Sequence, residues 1–100
     1  MQFELPFDEH PHAERFRQFH ENNPHVYKLF SRFASEAASR GRERFGARMV
    51  WERMRWHVAF ETVDDASLFK LNDHYTPFYA RMFMSDHPEY PNLFEIRERR

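Results

Sequence analysis

The chain has no cysteine among its 100 residues, which excludes a disulfide framework and a thiolate metal site. Its stability must therefore come from packing. Only two glycines are present, so few positions are free to take left-handed backbone, and the six prolines fall where elements would start or stop. No apolar run approaches the length of a membrane span, so no membrane partner is expected. The opening residues, MQFELPFDEH, are acidic and lack the basic-then-apolar pattern of a signal peptide. These absences imply a soluble, cytoplasmic protein. Net charge is −1, so the chain is not globally basic. Lysine is scarce as well, with two against thirteen arginines, a ratio that genomic base composition also biases.

What is present is aromatic. Twelve Phe, four Tyr and two Trp give a short chain enough large side chains to fill a core, since each buries a large area. The length suits a single domain over residues 1–100, with 1–10 as an N-terminal arm in which Phe3, Leu5 and Phe7 alternate. A first helix is expected from Pro11 to about Glu21, burying Phe16 and Phe19, and the Asn22-Asn23-Pro24 break ends it. Asn23 then reads as the N-cap and Pro24 as the first residue of a second helix. Val26, Leu29, Phe30, Phe33, Ala34, Ala37 and Ala38 form its apolar face, and Gly41 stops it.

The stretch FGARMVWERMRW predicts a third helix from about Ala47 to His57, with two apolar stripes. Ala47, Val50, Trp51, Met54 and Val58 form one, and Met49, Trp56 and Phe60 the other. Arg48, Glu52 and Arg55 share the remaining arc, and Arg53 borders the second stripe. Ala59 to Val63 and Leu68 to Leu71 read as a β-hairpin around Asp64-Asp65-Ala66-Ser67. A further helix over HYTPFYARMFMSDH would bury Tyr75, Phe78, Tyr79, Met82 and Phe83, with Arg81 outside. His87-Pro88 would end it, and Leu93 to Arg97 would form a last strand. The order predicts an α+β fold: a compact helical domain with a small antiparallel β-hairpin, winged-helix-like in layout.

Taken together, NPHVYKLFSRFA, GRERFGARMVWERMRW and FKLNDHYTPFYARMFMSDHPEYPNLFEIR resemble a family of small, largely uncharacterised phage- and prophage-associated proteins. The resemblance covers roughly residues 19–97. It rests on the Asn23-Pro24 helix start, Glu52 with Arg55-Trp56, Asn72 with Tyr75 and Tyr79-Ala80-Arg81, and Phe94 with Arg97. These words imply relatives and no catalytic residue.

Chemistry has little to build on. His10 and His12 flank Pro11, His20 opens an HExxH-like start that ends in proline, His20 and His25 flank a helix break, and His74 and His87 stand far apart, so scattered surface histidines are expected over a zinc site. Neither a nucleophile elbow nor a Gly-rich phosphate loop occurs. No enzyme, metal or cofactor is expected. Two binding readings remain. Residues 40–57 carry six arginines against Glu43 and Glu52, so Arg40, Arg42, Arg44, Arg48 and Arg55 are candidate DNA contacts. Lys70 in the hairpin joins them, with Tyr75, Thr76 and Arg81 on the later helix as the recognition element. Alternatively, Met49, Trp56 and Phe60 form an interface that binds a host or phage protein or a second copy of the chain. The discriminating question is whether that second stripe faces solvent.

Overall fold

The computed structural model describes residues 12–62 and 73–95. Four α-helices make up most of it: α1 (Ala13–Asn22), α2 (Pro24–Ser39), α3 (Ala47–Trp56) and α4 (Thr76–Asp86). The break between α1 and α2 falls where the proline requires it. Asn23 leaves helical geometry (φ −136°, ψ 59°), and Pro24 opens the first turn of α2. The Asn23 side chain does not cap α2; its amide donates to the Phe19 carbonyl at 3.0 Å and closes the preceding helix instead. At the far end of α2, Gly41 takes φ +79°, and its N–H donates to the Ala38 carbonyl.

The expected α+β, winged-helix-like fold is corrected. Among the described residues there is no sheet, only one isolated parallel bridge between Phe45 and Phe94. The first hairpin strand is helical instead: α3 runs on into a π-helical turn, His57–Glu61, and only at Thr62 does the backbone become extended. A β-prone run such as Ala59 to Val63 expresses context more than intrinsic preference. Here the context is Glu61, whose carboxylate accepts from Arg53 at 2.8 Å and lies 3.0 Å from the His57 ring. Those partners sit one and two turns back on the same helix, so the contacts they make with Glu61 favour helical continuation. Val63, the DDAS turn and the second hairpin strand lie outside the described residues. The expected last strand reduces to Leu93 and Phe94, which cross beside residues 44 and 45. Arg44 N–H donates to the Asn92 carbonyl at 3.0 Å, and Glu95 N–H to the Phe45 carbonyl at 2.9 Å.

The core is an aromatic cluster contributed by every helix. Phe16 of α1, Phe30 of α2, Trp51 of α3 and Phe78, Tyr79 and Phe83 of α4 are fully buried. Tyr79 is its hub: Phe16, Phe30 and Trp51 have ring centroids 4.9, 5.8 and 5.7 Å from it. Because it buries Thr76, Phe78, Tyr79, Ala80, Met82 and Phe83, α4 is the enclosed helix of the domain. It ends at His87 (φ −128°, ψ 74°), pushed out of helical geometry by Pro88.

Candidate functional site: the outer face of α3

Helix α3 buries Ala47, Val50, Trp51 and Met54 on one side. Positions 49, 56 and 60 recur seven and four residues apart, which places them on the opposite side. There Met49 is 64%, Trp56 57% and Phe60 72% exposed, the large hydrophobic side chains left to solvent among the described residues. The last two are joined, with ring centroids 4.8 Å apart. The π turn carries Phe60 to this position, and it leaves Val58, an expected core residue, only half buried.

One edge of the stripe is fixed by a network that sequence reading missed. The Arg53 guanidinium lies 4.3 Å from the centre of the Phe33 ring and pairs with Glu61, while His57 meets Phe33 edge-on at 5.4 Å. The hydrogen bonds of His57 and then Arg53 hold the Glu61 carboxyl below its ordinary range. The available signal was the Arg53, His57, Glu61 spacing, which is helical, but the β-prone residues around it masked the pattern. On the other edge Glu52 and Arg55 pair at 2.8 Å. Beside Met49, a groove of about 180 Å³ opens between α2 and α3. Phe33, Ala37, Phe45 and Val50 line it, with Arg40 and Arg53 at the rim.

The structure divides the expected nucleic-acid residues. Arg40, Arg42, Arg44 and Arg48 are exposed along the α2–α3 connection and the first turn of α3, and Arg55 is exposed further along. Arg40 lies 3.8 Å from Glu36. Tyr75 and Thr76, expected on a recognition helix, are buried, as is Tyr79 beside them. Tyr75 packs on Phe19 and Phe16, and Arg81 is half buried. These residues hold α4 in the core and do not form an outer reading face with the arginines. Lys70 lies outside the described residues.

Among the described residues no group of three or more His, Asp and Glu side chains is placed to hold a metal ion. No helix among them is long and apolar enough to cross a membrane. Comparison with protein-family models, with curated proteins and with solved structures finds no match.

Proposed function

We propose that this chain acts as a protein-interaction module whose docking surface is the outer face of α3. The observation that carries the reading is the joint exposure of Met49, Trp56 and Phe60 along one helix face. Large side chains of this kind are costly to leave in water and are enriched where interfaces concentrate their binding energy. The rim of Glu52, Arg53, Arg55 and Glu61 is charged and partly paired, as the border of such a patch is in other complexes.

A second reading has its own observation, the exposed arginines at 40, 42, 44 and 48. They would touch phosphates and carry little sequence information, because the helix expected to read bases is buried. One capture experiment from cell lysate, with and without nuclease, separates the two. On the interaction reading, Trp56→Ala abolishes capture of a protein, while nuclease treatment and Arg42→Glu/Arg44→Glu leave it in place. Capture that survives Trp56→Ala but disappears with nuclease and the arginine reversals would replace the first reading with the second.

A further inference from the structure

Resting on the interaction reading, we infer that the partner which fits this face is a second copy of the chain. Pairing would be antiparallel, α3 against α3, about a two-fold axis. Three features of the face point to self-pairing.

The first is shape. The stripe runs along a single helix directly opposite the side that packs into the core, so two copies can meet along it helix to helix. A two-fold interface uses the same patch twice, and such a stripe is complementary to itself.

The second is charge. The flanks carry both signs, Glu52 and Arg55 on one side and Arg53 and Glu61 on the other. A strongly acidic or basic partner would leave half of these groups facing like charge. An antiparallel copy matches them. With Met49 of one copy across from Phe60 of the other, Arg53 comes to lie across from Trp56, whose ring covers the apolar part of the arginine stem. On the opposite flank, Glu52 of each copy comes within about one helical turn of Arg55 of the other. The two-fold repeats each pairing.

The third is area. An aromatic side chain buries about 150–250 Å² when fully covered. At their observed exposure, Trp56 and Phe60 retain more than half of that, and Met49 adds to it. Two such faces, with the stems of the flanking arginines, bury on the order of 1,000 Å² in all, below the roughly 1,200 Å² at which stable specific interfaces begin and in the range of weak, transient ones. The dimer is therefore reversible, forming in the micromolar range or weaker.

Sedimentation of the full chain from micromolar to millimolar concentration tests this. The wild type is expected to pass from monomer to dimer, and Trp56→Ala and Phe60→Ser are each expected to weaken association at least about tenfold. Circular-dichroism melts identify any variant that has lost its fold, and the other variant then carries the test. Glu52→Arg and Arg55→Glu are each expected to weaken the dimer, and the two together to restore it. A chain that stays monomeric at millimolar concentration overturns the inference, as does a dimer indifferent to Trp56 and Phe60. A charge swap that fails to restore association overturns the antiparallel register. If the chain is monomeric yet still captures a lysate protein through Trp56, self-pairing fails and the wider interaction reading stands. If both are lost, both fail.

Discussion

At the scale of single residues, Tyr79 combines a packing role with a polar cost. Its ring joins α1, α2, α3 and α4, yet its hydroxyl is buried with no hydrogen-bond partner, and burial pushes its pKa up. A buried hydroxyl left unpaired costs about 1–3 kcal/mol. Tyr79→Phe should therefore leave denaturant stability unchanged or raise it, whereas Tyr79→Ala should lose about 3–5 kcal/mol by opening a cavity. A loss above about 1 kcal/mol for Tyr79→Phe would show that the hydroxyl is satisfied after all.

His20 sits against the same cluster, stacked on Phe16 and edge-on to Tyr27 and Tyr79. Burial lowers its pKa from the usual 6.5, with Glu21 and Asp86 pulling weakly the other way. The unfolded chain thus takes up the His20 proton at a higher pH than the folded one. Its contribution is complete above pH 6.5 and is lost as pH falls below that value toward the folded pKa. Glu61, with a depressed carboxyl pKa, loses its contribution only as pH falls below 4.5. Melting temperature should accordingly fall as pH drops from neutral through 6.5 and below, and His20→Phe should flatten that slope. An unchanged slope in the variant would assign the effect to another group.

At the scale of elements, the α2–α3 connection stores two left-handed residues with opposite consequences. Gly41, at φ +79°, has open space around its Cα, so Gly41→Ala meets no clash and pays only in backbone conformation, about 1 kcal/mol. Arg44 takes φ +58° without being glycine, and the backbone bonds of residues 44 and 45 to Asn92 and Leu93 hold it there. Arg44→Gly should relieve about 1–2 kcal/mol and raise the melting temperature by several degrees. If thermal melts show Arg44→Gly destabilising, its side chain contributes more than the backbone strain costs.

Helix α3 also shows where residue patterns suffice. Its 3.6-residue period separates Val50, Trp51 and Met54 from Met49 and Trp56, and the structure keeps that division. The stops at Asn23-Pro24, Gly41 and His87-Pro88 were legible too, because proline and glycine act through their own backbone geometry. The π turn was not legible. Its residues favour strand when read alone, and the groups that hold it helical, Arg53 and Phe33, act through contacts with α3 and α2.

At the scale of the whole molecule, the packing of the helices decides which side chains remain open for binding more than any single element does. Tyr75, Thr76 and Arg81 looked available for nucleic acid because a helix wheel shows faces and not what covers them. Enclosure of α4 by α1, α2 and α3 takes the first two out of reach, while α3 is left with one side open.

The sequence alone determined the helical faces of the described residues, the main breaks between them and which aromatics could form a core. Those depend on interactions within about one helical turn and on residues with restricted backbones. Only the tertiary structure decided that residues 57–61 are helical, that α4 is enclosed, and that Met49, Trp56 and Phe60 face outward. Exposure is a property of what packs from elsewhere in the chain, and neither period nor composition encodes that neighbour.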